Sequence, residues 1–177
     1  MPGRILVGSV RVGGFAELRP RFPRGCLRVF SELAPSASTR VVERAGILGR
    51  SVTVADPHTP WLYGCDAGVR SPARCGSAVG AWRGGRLNDP RLDVLCDDPK
   101  GKHLGAAWVV PLRRTRWIAV RERDFTEIYP VAGRLPVRIW TRDGVRYERS
   151  SADFEVTQFA ADGTRLAHEK LHTAVAG

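Results

Sequence analysis

LPVRIWTRDGVRYER, residues 135–149, alternates apolar and polar side chains and then turns. Successive side chains of a strand point to opposite sides, so Val137, Ile139 and Thr141 share one face and Arg138, Trp140 and Arg142 the other. Asp143-Gly144 is a two-residue hairpin signal, with Val145 to Arg149 as the expected return strand. No helical stripe fits the same residues, since the apolar positions recur every second place and not every third or fourth.

The pattern extends in both directions. Downstream, Phe154 to Phe159 and Arg165 to Val175 flank a second Asp-Gly turn at Asp162-Gly163. Upstream, Gly105 to Pro111, Trp117 to Arg121 and Glu127 to Val131 are short apolar runs separated by turn residues. Further back, Leu92 to Cys96, Ser51 to Ala55, Thr39 to Ala45 and Cys26 to Phe30 read as strands, and Arg4 to Val12 alternates weakly. Between them, residues 64–85 are glycine-rich with little periodicity and read as irregular loops. Turn signals recurring about every 8–12 residues predict an all-β chain, an antiparallel sandwich or barrel-like domain with irregular glycine-rich loops. At 177 residues the chain fits a single β-rich domain, with a soft subdivision expected near 98–104.

The formal net charge is +10, and of 28 basic residues only Lys100, Lys102 and Lys170 are lysine. Such a skew towards arginine is what GC-rich codon usage produces, yet the charge attracts polyanions whatever its origin. No stretch approaches the ~20 apolar residues of a membrane-spanning helix. The residues after Met1 also lack a signal-peptide pattern, because Gly8, Ser9 and Arg11 interrupt the apolar start.

Cys26, Cys65, Cys75 and Cys96 contain no close C-x2-4-C pair of the kind zinc sites use. Four scattered cysteines suit two disulfides and an extracytoplasmic or secreted location, and Cys65 with Cys75 closes the shortest loop across Gly68, Ser71 and Pro72. The alternative is four reduced, buried thiols in a cytoplasmic protein.

Three constellations bear on chemistry. Residues 168–172, His-Glu-Lys-Leu-His, match the H-E-x-x-H pattern of zinc metallopeptidases. On a helix, His168 and His172 would share a zinc ion while Glu169 served as general base. The pattern needs a third ligand; only five residues follow His172, and His58, His103 and Asp66 are the upstream candidates. On a strand the two histidines would stand ~13 Å apart, too far for one ion. Secondly, Asp89, Asp93, Asp97 and Asp98 cluster in a turn-rich region, without the spacing of a calcium-binding loop.

Thirdly, Arg138, Trp140 and Arg142 on one strand face form a basic-aromatic surface suited to a polyanion or nucleic acid. The competing reading buries Trp140 beneath another sheet or loop, with the arginines reaching water and pairing with Glu122, Asp124, Glu127 and Glu148. With no catalytic set established, the sequence points to a non-enzymatic extracytoplasmic β domain with a structural or binding role and no cofactor. A zinc-dependent hydrolase and a polyanion binder are the alternatives. Its partner would be a protein or a polyanionic surface, and exposed strand edges suit a homodimer.

Overall fold

The alternating segments of the C-terminal half become strands, and the computed structural model describes residues 3–69, 74–97 and 100–175. In chain order the strands are β1 (Arg4–Val7), β2 (Ser9–Gly14), β3 (Arg40–Ala45), β4 (Gly49–Ala55) and β5 (Trp61–Gly68). Then come β6 (Arg74–Arg83), β7 (Arg86–Leu87), β8 (Asp93–Asp97), β9 (His103–Val109) and β10 (Trp117–Arg121). The last five are β11 (Phe125–Pro130), β12 (Val137–Thr141), β13 (Val145–Arg146), β14 (Ser151–Phe159) and β15 (Arg165–Ala174). Two short helices, α1 (Phe15–Leu18) and α2 (Arg24–Val29), lie between β2 and β3.

These strands form three sheets in a sandwich-like all-β arrangement without a closed barrel. An N-terminal sheet runs β2-β3-β4-β5-β6-β7, a C-terminal sheet runs β1-β11-β10-β14-β13 with β15 also on β14, and a small sheet runs β12-β9-β8. Among the described residues every strand pairing is antiparallel except β1 with β11. The small sheet sits between the two larger ones. Every residue of β12 and all of β9 after His103 are buried, which requires cover on both faces. Val137 and Ile139 join Ile118, Val120, Phe154 and Val156 of the C-terminal sheet in one apolar cluster. Arg138 and Trp108 point the other way, towards the N-terminal sheet.

That sandwiching explains much of the glycine-rich stretch, which is strand in β5 and β6 and turn at Gly84-Gly85, while residues 70–73 lie outside the described residues. Gly64, Gly76 and Gly80 are floor positions on which larger side chains rest. A Cβ on Gly64 would lie 2.7 Å from Trp108 Cζ2, and one on Gly80 3.1 Å from Trp108 Cζ3. Gly76 would likewise meet Leu95 Cδ2 at 2.2 Å. Alternation is invisible there because one member of each pair has no side chain.

Two further expectations are corrected. Cys26 to Phe30 is not a strand; most of it belongs to α2, which opens directly after Pro23. Leu18, Phe22, Cys26 and Phe30, every fourth residue, are all buried against Val41, Val52 and Val54. Pro20 and Pro23 break this stripe into short pieces, which hides its helical period. Asp143-Gly144 is a turn but joins no hairpin. β12 pairs with β9 and β13 with β14, so the chain changes sheets there. Glycine is required because a Cβ at 144 would sit 1.9 Å from the carbonyl oxygen of Asp153. Asp162-Gly163 does close the expected hairpin between β14 and β15, with Gly163 at φ +84°. Of the soft division expected at 98–104, residues 98–99 lie outside the described residues.

Candidate functional site

Charged residues occupy the space between the N-terminal and small sheets. One transverse row of the N-terminal sheet reads Arg44 (β3), Ser51 (β4), Asp66 (β5) and Gly76 (β6). Arg138 of β12 descends onto it, 0% exposed, and donates to both Asp66 carboxylate oxygens, with Nη2 at 2.8 Å from Oδ2. Its Cζ lies 4.7 Å from the centroid of the Trp108 ring, and Nη1 donates to the Arg91 carbonyl at 3.3 Å. Trp140 Nε1 completes the Asp66 shell at 3.4 Å, and Asp93 stands 3.6 Å from the guanidinium. Burial lifts the Asp93 carboxyl above its ordinary value, while Arg138 pulls it back. This charge cluster joins two sheets, with Arg138 and Asp66 enclosed and only Asp93 partly exposed.

The basic-aromatic surface built on Arg138, Trp140 and Arg142 is therefore corrected: its first two members are interior. Period-2 alternation separates two faces but does not say which is wet, and on β12 neither is. The expected arginine partners are corrected with it. Arg138 uses Asp66 rather than an acid of the C-terminal half, whereas Arg142 does approach Asp124 at 3.8 Å, alongside Asp143 at 3.5 Å. Arg44, on the same buried row, donates to the Pro130 carbonyl, and its Nε and Nη2 have no partner among the described residues. Burial lowers its pKa to about 10.

His168, Glu169 and His172 lie on β15, a strand pairing only with β14 among the described residues, so the helix that zinc sharing requires is replaced by an extended segment. The histidine side chains share the exposed face but keep separate company. His168 Nδ1 is 2.9 Å from Thr157 Oγ1, and His172 Nδ1 is 2.6 Å from Asp153 Oδ1. The upstream ligand candidates are dispersed: His58 beside Ser38, His103 beside Asp97, and Asp66 beneath Arg138. The acidic cluster is also taken up locally, Asp89 by Arg91, Asp93 by Arg138 and Asp97 by His103; Asp98 lies outside the described residues.

The cysteines form two disulfides, Cys26–Cys65 and Cys75–Cys96. This overturns the pairing of Cys65 with Cys75, whose Ser71 and Pro72 lie outside the described residues. Cys65 points to the helix side of the N-terminal sheet, in the cluster of Leu18, Phe22 and Cys26. Beyond the register shift in the β5–β6 ladder, Cys75 packs with Cys96 against the central core. Neighbouring strands carry the two thiols to different clusters.

A second concentration of charge does reach solvent, where β12 ends and the chain crosses to β13. A cavity of about 290 Å³ is lined by Lys102, His103, Arg123, Arg142, Asp143 and Tyr147. An adjoining one of about 490 Å³ is lined by Arg146, Tyr147, Glu148 and Arg149. Tyr147 is 66% exposed and stacks on His103 with ring centroids 4.4 Å apart. His103 is held from behind by Asp97 at 2.7 Å. The sequence contained this signal in Arg142, Arg146, Tyr147 and Arg149, but Lys102, His103 and Arg123 come from distant segments and only the fold gathers them.

Beneath the cavity, Glu122 is buried and accepts the backbone N–H groups of Arg142 (3.1 Å) and Asp143 (2.9 Å). Burial pushes its carboxyl up to about 7, more than these hydrogen bonds pull it down. Burial also pushes Asp143 upward, but the Arg123 N–H, the hydrogen bond from Glu122 and the nearby guanidinium groups outweigh it and leave that carboxyl low. A carboxyl whose folded value exceeds its unfolded value of 4.5 binds its proton more tightly when folded. Its contribution is present below the unfolded value and is lost as pH rises through the folded one. Unfolding free energy at pH 4.5 should thus exceed that at pH 7.5 by on the order of 3 kcal/mol from this group. Urea titrations of wild type and Glu122→Gln across that window measure it: the variant should lose this part of the slope, and parallel profiles would refute the assignment.

No family model, no curated protein and no solved structure matches the chain.

Proposed function

We propose that this chain is a non-enzymatic, extracytoplasmic β domain that binds an anionic polymer through the basic cavity around Tyr147. The observation carrying this reading is local charge. Among the residues lining the two adjoining cavities, Lys102, Arg123, Arg142, Arg146 and Arg149 outnumber the carboxylates Asp143 and Glu148. A largely exposed tyrosine at their junction offers a flat surface on which a sugar or base can stack. Two disulfides fit an oxidising compartment, and no helix among the described residues is long and apolar enough to cross a membrane. A secreted protein presenting such a cavity would meet anionic polysaccharide before nucleic acid.

Heparin affinity tests the proposal. Replacing Arg123 and Arg149 by alanine should weaken binding roughly tenfold at about 0.15 M salt and lower the salt slope by about one per cation. Tyr147→Ala should weaken it severalfold. The charge-matched pair Arg11→Ala and Arg165→Ala, both exposed and away from the cavity, should change it less than about twofold. Equal losses from both pairs would mean that only the overall charge of +10 acts.

A further inference from the structure

At the other end of β12 from the basic cavity, next to Leu135, lies a cleft of about 630 Å³. We propose that it is a second binding site, for an uncharged saccharide. The floor is apolar, formed by Val12, Ala55 and Leu135, and one wall is the half-buried ring of Trp82. Sugar rings present C–H faces that lie against such an indole, while their hydroxyls need donors and acceptors at the edge.

The rim supplies both. Among the described residues neither the Arg40 side chain nor the ring N–H of Trp82 has a hydrogen-bond or ion-pair partner, so each can donate. Asp56 uses Oδ1 to hold the His58 backbone N–H at 2.9 Å, leaving Oδ2 as an acceptor. Ser38 adds a hydroxyl, kept in place by Ser36 Oγ at 2.8 Å and His58 Nε2 at 3.3 Å. Charge decides the ligand class. On a chain of net charge +10, this cleft carries one arginine and one aspartate, which cancel. A polyanion would gain nothing here over the rest of the surface, and a neutral ligand loses nothing.

Gly14 offers a way to close the site without disturbing the fold. It lines the cleft, its φ of −77° and ψ of 160° suit any residue, and nothing lies within 4 Å of where its Cβ would be. The experiment is calorimetric titration with four neutral probes: cellohexaose, xylohexaose, mannohexaose and chitohexaose. At least one should bind with a Kd of about 1 mM or tighter, and Trp82→Ala and Gly14→Leu should each weaken that binding at least about tenfold. Trp61→Ala, removing a 43% exposed indole outside the cleft lining, should leave it within about twofold. Absence of binding by all four probes overturns the proposal, as does binding that survives both cleft substitutions. Probes and variants differ from those of the heparin test, so either site can fail alone.

Discussion

Asp66→Ala is expected to lower the unfolding free energy by about 3–5 kcal/mol, because it strands Arg138 as an unpaired cation in the interior. Arg138 is wholly enclosed; with Asp66 gone, its nearest carboxylate is Asp93, 3.6 Å away and itself partly exposed. Trp140 loses its ring acceptor in the same step. Removing both charges should behave differently. Asp66→Leu combined with Arg138→Met removes both charges of this pair, and apolar replacement of interior pairs is often neutral or stabilising. The double variant should therefore recover most of the loss, in defiance of additivity. Urea denaturation of Asp66→Leu, Arg138→Met and the double forms the cycle. A loss below about 1 kcal/mol in Asp66→Ala would show that water reaches Arg138 and that the sheets are not joined as described.

The second large effect concerns the disulfides. Cys26 and Cys65 are 39 residues apart in sequence, Cys75 and Cys96 are 21. In the chain-entropy description, opening the first releases about 4 kcal/mol of constraint on the unfolded state and opening the second about 3 kcal/mol. The difference is small, but structure adds to it. Cys26 tethers α2 to β5 where Leu18, Phe22 and Phe30 cover only one short apolar cluster. The Cys26→Ala, Cys65→Ala variant should be the less stable of the two double variants, and removing all four thiols should leave the chain largely unfolded, since whole domains hold only about 5–15 kcal/mol. Thermal melts with non-reducing mass spectra decide it. Equal stability of oxidised wild type and the four-alanine variant would refute the pairing, and a mass match to the Cys65–Cys75 bridge after proteolysis would do so directly.

Several expectations failed for the same reason, which is that the small sheet is covered on both sides. Arg138 and Trp140 look like a wet face because arginine is seldom interior, and Asp66, which makes that burial tolerable, is 72 residues away. Residues 64–85 look like loop because glycine carries no alternation signal, although Gly64, Gly76 and Gly80 mark where Trp108, Leu95 and Leu87 press on β5 and β6. The every-fourth-residue stripe from Leu18 to Phe30 went unread because Pro20 and Pro23 cut it into pieces too short to show a helical period. The acidic and histidine motifs were legible as strings and dispersed as objects, since strand geometry sets neighbours in the string far apart in space.

Local physics determined the all-β class: period-2 alternation, β-branched and aromatic runs, and glycine turns such as Asp162-Gly163 depend on a few adjacent residues. Cysteine count and spacing likewise pointed to disulfides, and arginine content to a cationic surface. Pairing did not follow from the sequence. Which strands meet across Asp143-Gly144, which thiols join, which arginines are wet, and that Lys102, His103, Arg123 and Tyr147 line one cavity are long-range facts. They are decided by which faces must be covered for three sheets to bury their apolar sides, a condition no single stretch of chain can encode alone.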